Sequence, residues 1–206
     1  MKKVIGIGCL MVLFVFAVTA QATTYIDRPS WEAAVGSFFD FSPSGVADFT
    51  MVGSLPVPAG SGGGAMTLTP SLEKRTVGVS WATWSHGYSG EVFYTGGGLA
   101  ASGTFDVAQT AFGLYAEPNP FTVWDMTLTM ADGSILTQAV DGSGGAKFFG
   151  WQGGPVVSWG VTSGTDFAVG EFVTGTARVP EPATILLLGS GLIGLAVYGR
   201  KKFGKK

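Results

Sequence analysis

Cysteine and histidine are almost absent from this chain of 206 residues, and their scarcity excludes several kinds of functional site. The one cysteine, Cys9, lies in an apolar run near the N-terminus, so the remainder has no disulfide, thiolate ligand or cysteine nucleophile. The one histidine, His86, cannot by itself supply the usual zinc ligand sets. We therefore expect stability to come from the core and no bound cofactor, with calcium at acidic turns such as Asp132 and Asp141 left open.

Charge is also scarce, at 13% of residues, and it is unevenly distributed. Seven of the twelve basic residues lie at the two ends: Lys2, Lys3, Arg200, Lys201, Lys202, Lys205 and Lys206. All fourteen acidic residues lie between positions 27 and 181, where only five basic residues oppose them. Because such an acidic body repels phosphates, nucleic acid is not an expected partner.

The N-terminal basic cluster belongs to a segment with the features of a signal peptide. "MKK" is followed by fifteen apolar residues, "VIGIGCLMVLFVFAV" (4–18), and then by small residues at Ala20 and Ala22. These features predict a signal peptide over residues 1–22, cut by signal peptidase so that Thr23 becomes the new N-terminus. An uncleaved membrane anchor is the alternative, although fifteen residues are few for a membrane span.

The C-terminal basic cluster follows a second apolar run. Pro180, Glu181 and Pro182 interrupt regular structure, because proline lacks a donor and restricts its predecessor. The next sixteen residues carry no charge, and as a helix they would span roughly 24 Å. Snorkelling basic side chains can cover the shortfall against the bilayer core, so we predict a transmembrane helix over 183–199. The tail 200–206 then stays cytoplasmic by the positive-inside rule; a buried core helix is the alternative.

The order of "VPEPAT", a short apolar helix and "GRKK" resembles the PEP-CTERM sorting signal of Gram-negative bacteria. The resemblance implies that residues 178–206 are recognised by an exosortase, a membrane-embedded protease that cuts near Val179, Pro180, Glu181 and Pro182. It also implies an inner-membrane intermediate held by the C-terminal helix, and then delivery of the body to the cell surface or extracellular matrix. Proteins with this signal are associated with extracellular polysaccharide and biofilms.

The body, residues 23–177, has the pattern of an all-β domain. Short alternating stretches, among them "VGVSWATW" (77–84), "KFFGWQ" (147–152) and "VVSWGVT" (156–162), are separated by turn residues about every ten positions. In "FTVWDMTLTM" (121–130) the alternation places Met126, Leu128 and Met130 on one face, and "ADGS" (131–134) predicts a hairpin turn. About ten short strands favour a β-sandwich of the jelly-roll type.

One helix is predicted near the start of the body, in "RPSWEAAVGSFF" from Arg28, with Ser30 as its N-cap. This opening, and "FFGWQGGPVVSWGVTSGTDFAVGEF" near the end, resemble the lectin-like β-sandwich of PEP-CTERM proteins. In those relatives the last strand carries an Asp-Asn pair, whereas this chain has Gly170 and Glu171 there. The resemblance therefore implies the fold, and no contact of that aspartate is transferred to this chain.

Catalytic patterns are weak. A serine-histidine-acid arrangement would have to use His86, and no Gly-x-Ser-x-Gly motif accompanies it. The candidate acids for glycoside hydrolysis, which needs two carboxylates across a cleft, are Glu91, Glu117, Asp125 and Glu171. We expect no enzymatic activity, and keep a secreted glycoside hydrolase as the less favoured alternative.

Aromatic residues offer a binding function instead. Most of the tryptophans are expected to fill the core, but Trp84, His86 and Tyr88 alternate in a stretch that could be exposed. Trp84 and Tyr88 are therefore the candidate residues for stacking on sugar rings. The expected role is structural or adhesive contact with extracellular polysaccharide, and the alternative is a specific carbohydrate-binding module.

Overall fold

The computed structural model describes residues 21–42, 45–178 and 189–191. Its elements are β1 (Thr23–Tyr25), α1 (Arg28–Ala34), β2 (Val35–Phe41), β3 (Met51–Pro56), a 3-10 turn (Ala59–Ser61), β4 (Ala65–Thr76), β5 (Glu91–Tyr94), β6 (Ala100–Pro118), β7 (Val123–Met130), β8 (Ile135–Asp141), β9 (Lys147–Ser163) and β10 (Phe167–Ala177). The body is mostly β-sheet, and the paired strands are antiparallel. The all-β prediction is therefore confirmed.

Four strands close into a ring around part of the core. β6 pairs with β4 through its N-terminal half and with β10 through its C-terminal half. The short strand β5 joins the other end of β4 to β10. The sheet therefore folds back on itself, with β3 beside β4, β2 beside β10, and β9 and β7 continuing from β6.

The strands β6 and β9 are much longer than the pattern of turn residues predicts. Residues 147–163 form one strand, although "GGP" at 153–155 separates two predicted strands. A register shift in the pairing of β6 and β9 accommodates this segment, with Gln109 opposite Val156 and Ala111 opposite Gln152. A bulge of this kind tolerates glycine and proline inside a strand, so the predicted break is wrong.

The core is aromatic. Phe112 packs on Phe105, Trp159 and Phe172, with ring centroids 5.3–6.4 Å apart. The buried tryptophans are Trp31, Trp81, Trp151 and Trp159, while Trp84 and Trp124 are half-buried. The expectation that most tryptophans fill the core is confirmed.

The hairpin of β7 and β8 follows its sequence pattern closely. Met126, Leu128 and Met130 are buried on one face of β7. In the turn, Gly133 has a φ of 85°, and the side chain of Asp132 accepts a hydrogen bond from the Ser134 amide. Asp-Gly supplies the positive φ that such a turn needs, and this prediction is confirmed.

The cap of α1 is Asp27, and the prediction of Ser30 is wrong. The carboxylate of Asp27 accepts the amide N–H of Ser30, and Pro29 lies in the first turn, where its missing donor is harmless. The helix ends at Ala34, and its buried Trp31 donates from Nε1 to the carbonyl of Trp151 at 2.9 Å. This contact fixes α1 against β9.

Residues 77–90 form a loop, so the predicted strand at 77–84 is wrong. Gly78 has a φ of 77°, and Val77 pairs only through a single bridge with Trp81. The alternation of apolar residues reflects the packing of Val77 and Trp81 against the body, and no neighbouring strand is involved. This segment is called the 77–90 loop below.

The two ends of the body lie close together. Thr23 pairs with Gln152, Gln152 with Ala111, and Ala111 with Gly175, two residues before the end of β10. Three strand spacings separate Thr23 from Gly175, roughly 15 Å. The chain therefore enters and leaves the sheet at the same end.

Several predictions concern residues outside those that the structure describes. They are the signal segment with Ala20, the motif Val179–Pro182 and most of the helix 183–199. Residues 189–191 are helical. Among the described residues, no helix has the length and apolar character needed to cross a membrane.

Candidate functional site

The 77–90 loop is fixed at its base by one carboxylate. Asp48 accepts hydrogen bonds from Lys74 Nζ at 2.6 Å, from Thr76 Oγ1 at 2.7 Å and from Ser80 Oγ. The ammonium of Lys74, followed by the hydroxyls of Ser80 and Thr76, holds the pKa of Asp48 well below its usual range. Because Lys74 is buried, Asp48 also neutralises a charge that would otherwise be costly.

Glu171 lies opposite this loop on a bulge of β10. The register of β10 against β6 shifts between Gly170 and Val173, and Glu171 has a φ of 47°. Its side chain is only 8% exposed and lies at 2.9 Å from His86 Nε2, while Trp84 Nε1 donates to its other oxygen. The bulge therefore turns an acidic side chain of the sheet towards the loop.

Backbone strain is concentrated at this contact. His86 also has a positive φ, 45°, so two of the three described residues other than glycine with this conformation are hydrogen-bonded to each other. Each such residue costs roughly 1 kcal/mol, and strain of this kind is commonly found at functional sites. The pair His86–Glu171 is the strongest local indication of a site in the described part of the chain.

A cleft of about 660 Å³ opens beside the pair. Its lining includes Arg28, Asp40, Phe41, Tyr88, Glu171 and Phe172. Arg28 forms ion pairs of 2.7 Å with both Asp40 and Glu32, so its charge is largely balanced. Burial, and secondarily the charge of Glu171, raise the pKa of Tyr88 to about 12, so its phenol stays protonated.

The structure brings together the three loop residues that alternate in the sequence. The ring of Tyr88 lies 6.3 Å from that of Trp84 and 6.4 Å from that of His86, between centroids. Tyr88 lines the cleft and donates its hydroxyl to the carbonyl of Glu91, whereas Trp84 is half-buried and lies over Gly170. A Cβ at Gly170 would contact Trp84 and Val92, which gives a physical reason for glycine there.

The four candidate acids do not form a pair. Glu171 lines the cleft, Glu117 lines a separate cavity, Glu91 lies 3.7 Å from Lys74 Nζ, and Asp125 is exposed on β7. The carboxylate that shares the cleft with Glu171 is Asp40, which sequence reasoning missed. No local pattern around Asp40 distinguishes it; only the pairing of Asp40 with Val173 brings it to the cleft.

Sequence reasoning also missed Ser85, whose Oγ lies 2.8 Å from His86 Nδ1. Ser85, His86 and Glu171 therefore form a hydrogen-bonded series. No local pattern in the amino-acid sequence reveals such a series, because Glu171 lies 85 residues from His86.

The acidic turns considered for calcium are hydrogen-bonded locally. Asp132 accepts from the Ser134 amide, and Asp141 accepts from the amide and hydroxyl of Ser143. Among the described residues, no group of three or more His, Cys, Asp or Glu side chains could hold a metal ion.

Comparison with protein families gives a match at the C-terminal end of the body. No curated protein matches the chain. The family model of the PEP-CTERM protein-sorting motif matches residues 178–202, which include the proline-glutamate-proline triplet and the apolar run. The match begins directly after the last residue of β10, Ala177. It confirms the resemblance: the chain carries a PEP-CTERM protein-sorting motif, which marks an exported protein for processing by an exosortase.

Proposed function

We propose that this protein is an exosortase-sorted protein of the cell surface or extracellular matrix, whose body contacts extracellular polysaccharide in a structural or adhesive role. The sorting motif at 178–202 supports export and a membrane-anchored intermediate. We propose further that the body is a lectin-like β-sandwich of the jelly-roll type. Its antiparallel strands, and the ring of β4, β5, β10 and β6 around an aromatic core, support this assignment.

The observation that carries the binding proposal is the strained pair His86–Glu171 beside Tyr88 and Trp84. A sugar ring offers apolar C–H faces to aromatic rings and hydroxyl groups to carboxylates. Tyr88 supplies an aromatic face in the cleft, the ring of Trp84 lies beside it on the loop, and Glu171 supplies an acceptor held by two donors, Trp84 and His86. The cleft volume of about 660 Å³ accommodates more than one sugar residue.

Affinity electrophoresis through gels containing the extracellular polysaccharide of the producing bacterium tests this proposal. We expect the polysaccharide to retard the wild-type protein, and Trp84→Ala and Tyr88→Ala each to weaken the retardation about tenfold. Trp124→Ala is the matched control, because Trp124 is also half-buried but donates to Thr122 and lies on β7, which does not pair with β10. Equal retardation of all four proteins would contradict binding at this cleft.

Competition with short oligosaccharides distinguishes adhesion from specific recognition. An adhesive surface is displaced only by the polymer, because many weak contacts act together. A specific carbohydrate-binding module is displaced by one defined oligosaccharide at low concentration. The same gels, run with and without the oligosaccharide, separate the two roles.

Two arrangements favour a hydrolase as the second candidate. Asp40 and Glu171 share the cleft, and Ser85, His86 and Glu171 are hydrogen-bonded in series. Against this, Arg28 is paired with Asp40, and Ser85 approaches the imidazole of its own chain neighbour. We expect no release of reducing ends from the polysaccharide and no labelling of Ser85 by a fluorophosphonate; stoichiometric labelling, abolished in Ser85→Ala, would overturn this expectation.

A further inference from the structure

The folded body ends directly against the sorting motif. β10 ends at Ala177, and the residues matched by the motif begin at Arg178. The part of β10 that is held on both edges ends slightly earlier, at Gly175, which is buried and pairs with Ala111 of β6 and Phe38 of β2. The ladder with β6 stops there.

Side-chain hydrogen bonds hold the next two residues. The amide of Ala177 donates to Thr110 Oγ1 at 3.0 Å, so a threonine hydroxyl of β6 replaces the missing ladder partner. The hydroxyls of Thr176 and Ser37 lie 3.0 Å apart across the edge of β2. Both contacts lie at the surface of the sheet, beyond the last buried residue of β10.

The first residue of the motif is itself attached to the body. Arg178 Nε donates to the carbonyl of Val35 at 3.0 Å, at the start of β2. Because Thr176 and Arg178 are exposed, this end can detach while the buried residues before it stay in the core. Residues 176–178 are called the latch below.

Detachment of the latch lengthens the segment that a protease can reach. With the latch closed, the four residues 179–182 separate the body from the apolar run and span at most roughly 14 Å. With the latch open, seven residues span up to roughly 25 Å. A body of this length is itself roughly 40 Å across. A membrane-embedded protease must work between this body and the bilayer, so the added length matters.

We propose that the latch limits processing of the sorting motif, and that the exosortase engages the motif when residues 176–178 have detached from Ser37, Thr110 and Val35. This inference rests on the proposed function, because it assumes that an exosortase processes the motif. Ser37 and Thr110 are then positioning residues, which hold the motif against the body without touching the protease.

The test follows loss of the tail from the full chain in the producing bacterium, by pulse labelling and gel mobility. Thr110→Val removes the hydroxyl that holds Ala177 and keeps a side chain of similar shape. Because cleavage follows the population of the open form, we expect processing to become roughly fivefold faster, as for loss of one hydrogen bond. Thr110→Ser keeps the hydroxyl and should restore the wild-type rate.

Thr127→Val is the matched control. It is the same substitution at another half-buried threonine, whose hydroxyl lies 2.9 Å from that of Thr137 on the β7–β8 hairpin. It should lower thermal stability about as much as Thr110→Val does and leave the processing rate unchanged. Arg178 is left unaltered, because it belongs to the matched motif and the protease could contact it directly.

A second variant inserts Gly-Ser-Gly-Ser between Ala177 and Arg178, which lengthens the segment and keeps residues 178–202 contiguous. We expect it also to be processed faster than the wild type. A wild-type rate in both Thr110→Val and the insertion variant would show that the motif is cut before β10 forms, and would overturn the proposal.

The remaining outcomes separate the latch from the proposed function. Equal acceleration in Thr110→Val and Thr127→Val would attribute the effect to a general loss of stability, and would also overturn the latch. Retention of the tail by the wild-type chain and every variant would contradict exosortase processing itself. In that case the proposed sorting fails and the latch fails with it.

Discussion

At the scale of the residue, Glu117 should make stability depend on pH near neutrality. Burial raises its pKa from 4.5 to about 6, so the folded protein binds the proton more tightly than the unfolded chain does. The free energy of unfolding should therefore fall as the pH rises from about 4 to about 7, by about 2 kcal/mol at 1.36 kcal/mol per pKa unit. In Glu117→Gln, the free energy of unfolding measured with urea should lack this fall between about pH 4 and about pH 7.

The control for Glu117 is Asp125→Asn, which neutralises an exposed carboxylate on β7. It should keep the pH dependence of the wild type across this interval. A Glu117→Gln profile that is parallel to the wild-type profile would show that Glu117 is ionised without cost in the folded state.

Glu171 gives a second prediction, based on its backbone. At a φ of 47°, glycine is preferred to alanine, so Glu171→Gly should be about 1 kcal/mol more stable than Glu171→Ala. Ala168 lies in the same strand without a positive φ, and Ala168→Gly should be less stable than the wild type by about 0.5–1 kcal/mol. Thermal unfolding measures both differences. If the same residue, glycine or alanine, gave the more stable protein at both positions, the strained backbone at Glu171 would be contradicted.

At the scale of the element, the 77–90 loop should depend on Asp48. Asp48→Asn keeps a similar shape but leaves the buried ammonium of Lys74 without its closest counter-charge. Amide hydrogen exchange in the loop should become roughly tenfold faster, as expected for loss of a charged hydrogen bond. Since the pKa of Asp48 is lowered by folding, the wild type should lose the same stabilisation as the pH falls below about 4.

Asp106→Asn is the control for this element, because Asp106 accepts the amide of Ala65 and does not contact the loop. Amide hydrogen exchange in the 77–90 loop of Asp106→Asn should match that of the wild type. Unchanged exchange in Asp48→Asn would mean that the packing of Trp81, rather than Asp48, holds the loop.

The elements show which parts of the fold can be predicted from the sequence. The β7–β8 hairpin was predictable because its alternation and its Asp-Gly turn agree with each other. The 77–90 loop has the same alternation, but Gly78 and the distant Asp48 turn it away from a neighbouring strand. The grouping of Trp84, His86 and Tyr88 followed from their spacing. The bulge that brings Glu171 to them depends on pairing between strands far apart in the sequence, which no local pattern reveals.

At the scale of the whole molecule, the sorting motif predicts the mass of the processed protein. Protein isolated from the native envelope and medium should begin at Thr23 and end near Pro180–Pro182, with or without an added group. The physical reason is that Pro180 and Pro182 favour an extended segment between the body and an apolar run, which we expect to be accessible to a protease. Intact-mass spectrometry measures this, and a mass that includes Lys206 would show that the tail is retained.

The pairing of β10 has a mechanical consequence. β10 lies between β6 on one edge and β5 and β2 on the other, and the sorting motif follows it without a spacer. While the tail is anchored, a pull on a polymer held at Glu171 would travel to the tether along six residues of this one strand, about 20 Å at 3.3 Å per residue. Hydrogen bonds on both edges would then be loaded together in shear, instead of opening one after another. The strand that precedes the sorting motif is thus placed to carry tension between the cleft and the tether.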